Sequence, residues 1–546
     1  MTIAERILKL RKQAGLSQEV FAEKLGVSRQ SVSKWESGNV MPDLDKVVAM
    51  CELFGVTTDY LLKGKLEEET AQLPAEEKAD YEEIYVGRPT DIPPEETAEA
   101  EEVEEEQEEK EEDSKPDEPT TKTKVKVIAG ILAVLLILGV LIPIPTGAYK
   151  KLFAKINEEP VTYPYVLVHG MGGWGESAGI NSLAPYWGAS TGSLSNYLRG
   201  ENVKVYEATV GPFSSAWDRA CELYAQLTGT TVDYGAAHSA EHGHDRYGKT
   251  YTSPLYENWG KKTEGGQVQK INLIGHSFGG NTVRLLASLM EYGSEAEQQA
   301  SSDNVSPLFK GGNGSYINSV TTLCSPHNGS TLYYVVDKQK LIPTALGMLQ
   351  FAGGITNILD SGLIDFQLEH FGIFSDSANA MTLINDSFMN GKDNAFYDLS
   401  PHGAIELNQT IKTVNDIYYF SFAYCTTEKA PLTGMQTPRI STMLVLMPIA
   451  RLIGTYTNTS ADAPVKIDET WLPNDGLVNV ISAQKPTNEP SADYVAGNEI
   501  ERGKWYVFPT LTGDHGTVIG MGGNAEQTRK FYTDHIALID SLPRTN

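Results

Sequence analysis

From Val127 to Ala148 the chain carries no charged residue, and Val127–Ile142 is almost wholly Ile, Leu, Val, Ala and Gly. A helix that is apolar on every face must be enclosed by protein or lie in lipid. The 20 residues Val127–Thr146 make about 30 Å of helix at about 1.5 Å per residue, the thickness of a bilayer core. Just ahead of them lies the Glu-rich run Glu95–Asp113, which has almost no apolar side chain with which to enclose anything. One transmembrane helix is therefore expected at 127–147. It begins too far along the chain for a cleaved signal peptide. Lysines flank both ends (Lys122, Lys124, Lys126 and Lys150, Lys151, Lys155), so charge asymmetry does not orient it.

The rest of the chain divides around that span. Of the formal charge of −27 on 546 residues, residues 65–120 hold a net −19. Residues 1–64 come to +1 and 156–546 to −15. Residues 65–126, acidic and punctuated by Pro74, Pro89, Pro93, Pro94, Pro116 and Pro119, cannot bury enough surface to offset ordering entropy. They are expected to be a disordered, self-repelling linker. A hydrophobic content of 40% excludes a wholly disordered chain, and four cysteines exclude a disulfide-stapled scaffold. Residues 1–64 predict five short helices. Apolar residues recur at helical spacing through Ile3-Ile7-Leu8-Leu10, Val20-Phe21-Leu25 and Leu44-Val47-Val48. Ser17 and Ser28 are placed to cap the second and third.

Residues 156–546 alternate short apolar runs with helix-period stretches, which predicts a mainly parallel sheet flanked by helices. Gly275-His276-Ser277-Phe278-Gly279 fits G-x-S-x-G, after the strand-like Ile271–Ile274 and before a helical pattern. That context makes Ser277 a candidate nucleophile on a sharp strained turn. The base and its orienting acid should follow it in the order acid, then histidine. Asp475 lies in a turn, and His515 is the histidine that sits among turn residues late in the chain. His535 falls in a helical pattern and reads as structural. Asp514 is an alternative acid, although sequence neighbours rarely face each other across a hydrogen bond. The oxyanion donors would be the amides of Phe278 and of Met171 in His169-Gly170-Met171-Gly172-Gly173. His169 itself reads as a turn-organising residue. Asp218, His238 and His244 form a partial zinc set, with the remaining ligand open.

His169–Gly175, Trp217–Glu222, Val232–His238 with Gly243-His244, Ser325–Gly329, Tyr397–Ser400 and Asn474–Gly476 resemble the secreted lipases of thermophilic Bacillus/Geobacillus and of staphylococci. The likeness covers roughly 160–540. It implies an α/β-hydrolase fold, hydrolysis of carboxylic esters of the triacylglycerol type, and a triad of Ser277, Asp475 and His515. It also implies a structural Zn2+ held by Asp218, His238, His244 and Asp393. The family's calcium-binding carboxylates fall on Thr517 and Gly522, so that Ca2+ site is expected to be absent. Phe278 stands where the family commonly has Gln, a change that a main-chain donor tolerates.

Leu16–Ser28, continuing through Arg29-Gln30-Ser31-Val32-Ser33-Lys34-Trp35-Glu36-Ser37-Gly38, resembles the phage-repressor (Xre-type) helix-turn-helix. The resemblance implies double-stranded DNA as a partner, met through Gln18, Ser28, Arg29, Gln30, Ser31 and Lys34. A DNA-binding unit belongs in the cytoplasm, so one span places a hydrolase domain at 156–546 outside the cell. The competing expectation is a membrane-bound transcription regulator whose outer hydrolase-like domain senses lipid. Retention of Ser, Asp and His together argues against it. Cys221, Cys324 and Cys425 permit at most one bridge, and the family likeness suggests free thiols. The apolar stretch 341–374 is expected to form a lid or core helices.

Overall fold

Tyr165–Val168 and Ile271–His276, two apolar runs that each lead into a glycine-rich turn, become adjacent central strands in the computed structural model. The structure describes residues 3–13, 16–25, 27–36, 46, 50, 53–54, 162–301, 304–336, 365–374 and 388–544. The main sheet has seven strands: β1 (Tyr165–Val168), β2 (Val205–Ala208), β3 (Ile271–His276), β4 (Ile317–Leu323), β5 (Tyr418–Phe422), β6 (Ser491–Asp493) and β7 (Trp505–Val507). Their order is β6-β7-β5-β4-β3-β1-β2, and every pairing is parallel. All residues of β1, β3, β4 and β5 are buried. That is the cost of a parallel sheet, whose crossovers put helices on both faces.

Strand alternation sorts the core into two halves. Tyr165 and Leu167 point into one, with Ile274, Leu323, Phe420 and Tyr532. Val166 and Val168 point into the other, with Leu273, Val320, Val283 and Leu286. Four helices frame the site. They are α4 (Ala216–Thr228), α5 (Ala236–His242), α6 (Phe278–Tyr292) and α7 (Ala525–Ser541). The Ser215 side chain accepts from the Asp218 amide to cap α4, and Gly229 at φ 67° ends it in the left-handed region.

The chain divides into two compact units, Met1–Pro116 and Asp117–Asn546. In the first, the described helices are α1 (Ile3–Gln13), α2 (Gln18–Lys24) and α3 (Arg29–Glu36). Ser17 Oγ accepts from the Val20 amide at 3.2 Å and Ser28 Oγ from the Ser31 amide at 3.2 Å, so both serines cap. Ile7, Leu10, Phe21, Leu25, Val32 and Trp35 make the core. Val20, grouped by periodicity with the apolar face, is exposed.

The linker at 65–126 and the span at 127–147 lie outside the described residues. Among the described residues, no helix is long and apolar enough to cross a membrane. Most of the expected lid, 341–364, also lies outside them. In the part that is described, Phe366, Leu368 and Ile373 are buried in the core. Phe374, in the same part, is exposed.

Candidate active site

Ser277 joins β3 to α6 with φ 54° and ψ −129°, a backbone region that side chains rarely adopt. The flanking glycines show why the turn is possible. A Cβ on Gly275 would collide with the Gly279 carbonyl, and one on Gly279 with the Val168 carbonyl of β1. The turn from β1 presses equally close. A Cβ on Gly170 would stand 2.7 Å from Ser277 Cβ and 3.1 Å from its Oγ. Met171 and Phe278 flank the serine from these two turns. Among the described residues, neither amide is consumed by a backbone acceptor. The Phe278 ring is fully buried, 5.2 Å from the Arg219 guanidinium, so it points into the core and not into the site.

His515 Nδ1 donates to Asp475 Oδ2 at 2.8 Å, and the His515 amide donates to the Asp475 carbonyl at 2.8 Å. The other carboxylate oxygen, Oδ1, accepts from the Leu477 and Val478 amides at 2.9 and 2.7 Å. Asp475 is fully buried and held as a charge-assisted acceptor. Asp514, the alternative acid, spends its carboxylate on the Met443 and Gly516 amides and on Thr517 Oγ1. Burial pushes its carboxyl above the usual range. His169 accepts from the Val210 amide at Nε2 and holds Gly170 through Nδ1. Burial lowers its imidazole to about 3. His535, bonded to Thr321 Oγ1, is likewise lowered to about 3 by burial.

A second cluster lies on α4, α5 and the loops beside them. Asp218, His238, His244 and Asp393 bring one ligand atom each to within 4.8 Å of one another. His238 Nε2 and His244 Nε2 stand 3.2 Å from Asp393 Oδ2. They are not aligned as hydrogen bonds. Both Asp393 oxygens and His244 Nε2 stay buried without a hydrogen-bond partner. Burial opposes protonation of His238, yet Asp218 and Asp393 push it up to about 10. Two carboxylates and two imidazoles with orphaned buried atoms are a donor set that suits a zinc ion. His370, 152 residues from Asp218, donates from Nε2 to Asp218 Oδ2 at 3.1 Å and stacks on Tyr234 at 4.1 Å. The sequence reading missed this supporting role, because nothing local ties His370 to Asp218.

The positions expected to lack calcium ligands offer no carboxylate. Thr517 Oγ1 donates to Asp514, and the Gly522 amide donates to Ser190 Oγ at 2.8 Å. Cys221, Cys324 and Cys425 are all free. Burial pushes the Cys221 and Cys324 thiols well above their ordinary range, which keeps them protonated and unreactive.

In the N-terminal unit, several side chains considered for DNA have partners within it. Gln18 Nε2 donates to Glu36 Oε2 at 2.7 Å, and the same carboxylate accepts from Arg11 Nη2 at 3.0 Å. Arg29 meets Glu19 at 2.8 Å, both exposed, and Ser28 Oγ lies 3.0 Å from Ser31 Oγ. Gln30 and Lys34 are exposed.

A parallel sheet with a strained serine at the β3–α6 turn and a buried Asp–His pair defines the α/β-hydrolase class. Residues 161–545 match the family model of the lipase-like C-terminal domain, and residues 7–61 match a helix-turn-helix model. The chain belongs to that lipase-like family. Lipase 1 of Staphylococcus aureus (strain MRSA252) is 34% identical over 408 residues, which cover 73% of this chain and 55% of the relative. The chain thus spans little more than half the length of that lipase. EstA from Clostridium botulinum superposes with a TM-score of 0.64 at 36% identity, covering 72% of this chain and 91% of EstA. Lipase 1 from Pelosinus fermentans does so with 0.61 at 37% identity, covering 70% and 100%.

Proposed function

We propose that the chain is a membrane-anchored serine hydrolase of carboxylic esters, acting on acylglycerols. Its N-terminal unit would be a cytoplasmic DNA-binding module, joined by the acidic linker and one span at 127–147 to a hydrolase outside the cell. The observation that carries the hydrolase reading is the strained Ser277 turn, packed against the Gly170–Met171 turn, in one domain with the buried Asp475–His515 pair.

Ser277 Oγ attacks the ester carbonyl carbon while His515 Nε2 takes its proton. The oxyanion accepts from the Met171 and Phe278 amides, which are fixed in advance by their turns. Collapse of the adduct releases the alcohol, which takes the proton back from His515. Water then repeats the sequence on the acyl-serine and frees the fatty acid. Asp475 holds the imidazole in the tautomer with Nε2 free to accept. Zinc bound by Asp218, His238, His244 and Asp393 would cross-link α4, α5 and their loops as a structural ion.

Hydrolysis of p-nitrophenyl butyrate and of emulsified triacylglycerol by the full chain tests the reading. Ser277→Ala should lower kcat by about 10^6-fold. Activity undiminished in that variant would sink it, and lipid binding without turnover would favour the sensor. For the N-terminal unit, Lys34→Ala should weaken binding to duplex DNA and reduce the slope of log K against log salt by about 1. A slope unchanged by the substitution would remove Lys34 from the contact.

A further inference from the structure

The histidine beside the nucleophile has a use that the triad leaves unassigned. His276 ends β3 and is 2% exposed, and Tyr186, from the loop after β1, is 4% exposed. Three hydrogen bonds run through them. The Gly170 amide donates to Tyr186 Oη at 2.9 Å. Tyr186 Oη lies 2.6 Å from His276 Nδ1. His276 Nε2 lies 3.0 Å from the carbonyl oxygen of His515.

The direction of each bond follows from what its ends can do. A carbonyl only accepts, so His276 carries its proton on Nε2 and donates to His515. Nδ1 is then a lone pair, and the phenol donates to it. The phenol oxygen in turn accepts from Gly170. Burial holds the imidazole far below its ordinary pKa, and also holds the phenol protonated. Each end of the chain is a part of the proposed machinery: Gly170 precedes Met171, and His515 is the proposed base. The glycine turn is moulded around the phenol, since a Cβ on Gly173 would stand 2.6 Å from Tyr186 Cε2. The rings of Tyr186 and His276 lie 5.8 Å apart, and those of His276 and His515 4.8 Å. His276, Cys324 and His515 also approach closely enough to hold an ion. Both nitrogens of His276 are already engaged, so hydrogen bonding accounts for the cluster.

We propose that Tyr186 and His276 are positioning residues that tie the oxyanion turn to the catalytic base, so that Met171 and His515 keep one register about Ser277. Neither touches the reacting atoms. Their effect is to preorganise the transition-state contacts, which lowers the barrier without adding to ground-state affinity. The proposal rests on the hydrolase reading of Ser277, Asp475 and His515.

In the full chain, Tyr186→Phe keeps the packing and removes the relay's central atom. It should lower kcat on p-nitrophenyl butyrate by about tenfold, the scale of an outer contact, with KM within about twofold. Inhibition by a boronic acid, which imitates the tetrahedral adduct, should weaken by the same factor. His276→Gln, which keeps a carbonyl acceptor and an amide donor group, should recover part of the activity that His276→Phe loses. An unchanged kcat, or a loss that follows a fall in melting temperature with equal loss in both His276 variants, would overturn the proposal. Nitrogen-15 spectra of labelled histidine give a reading independent of turnover: at the pH of the assay His276 should be the neutral Nε2–H tautomer. A protonated ring or the Nδ1–H tautomer at that pH would overturn it. Failure of the hydrolase reading would look different, as ester turnover that Ser277→Ala leaves intact.

Discussion

Two buried sets of imidazole and carboxylate occupy this fold, and they are balanced in opposite ways. Around His515 one carboxylate meets one imidazole, and Asp475 Oδ1 is served by two main-chain amides. Around Asp393 two carboxylates and two imidazoles converge, with three of their atoms left without a hydrogen-bond partner. The first set closes on itself. The second has the donor set of a metal site. Burial is common to both, so burial does not separate a proton-transfer pair from a metal site. The count of donors against acceptors does.

The largest effect should come from breaking the self-contained set. Asp475→Asn lets the side-chain amide donate where the carboxylate accepted, which favours the wrong tautomer of His515. An activity loss of about 10^4-fold in kcat is expected, with a melting temperature changed by only a few degrees. A loss below about 100-fold would mean that another acid orients His515. Asp514 is the neighbour to test next.

Removing the cation should act on stability instead. Dialysis against a chelator should lower the melting temperature by on the order of 5 °C, as expected for a site about 100-fold saturated in a domain of this size. Zinc should restore it and magnesium should not. Asp393→Ala should show the lower value from the start and no response to the chelator. A melting temperature indifferent to the chelator, with no metal found on elemental analysis, would erase the contrast between the two sets.

The smallest effect concerns His370. His370→Phe keeps a ring against Tyr234 and removes the donor to Asp218. Zinc affinity, measured by competition with a chromogenic chelator, should fall by about 10–100-fold, while kcat at saturating zinc stays within about twofold. Unchanged affinity would reduce His370 to packing.

These sites differed in how far the sequence disclosed them. The Ser277 turn was legible because its requirements are local: a strand, small residues two places either side, and a helix. The caps at Ser17 and Ser28 were legible for the same reason, since the donor lies three residues away. The alternation that sends Tyr165 and Val166 into opposite halves of the core also follows from neighbours along the chain. Asp475 and His515 could be reached through chain order and turn context. Tyr186, 90 residues from His276, could not, and neither could His370. Val20 shows the limit within a helix, where an apolar residue at a plausible spacing still faces water.

By itself the sequence determined the parallel layering, the place of the candidate nucleophile, the helix-turn-helix caps and the contrast in composition between the acidic residues 65–126 and the uncharged apolar residues 127–148. Each depends on periodicity or charge within a few turns of chain. Tertiary structure alone decided which carboxylate is satisfied and which is orphaned, and which distant rings bond to His515 and to Asp218. Those outcomes depend on strand order, which brings β1 beside β3 from more than 100 residues away and sets β4 on the other edge of β3. A hydrogen bond closed over such a distance leaves no periodic mark, because its partners need only be donor and acceptor.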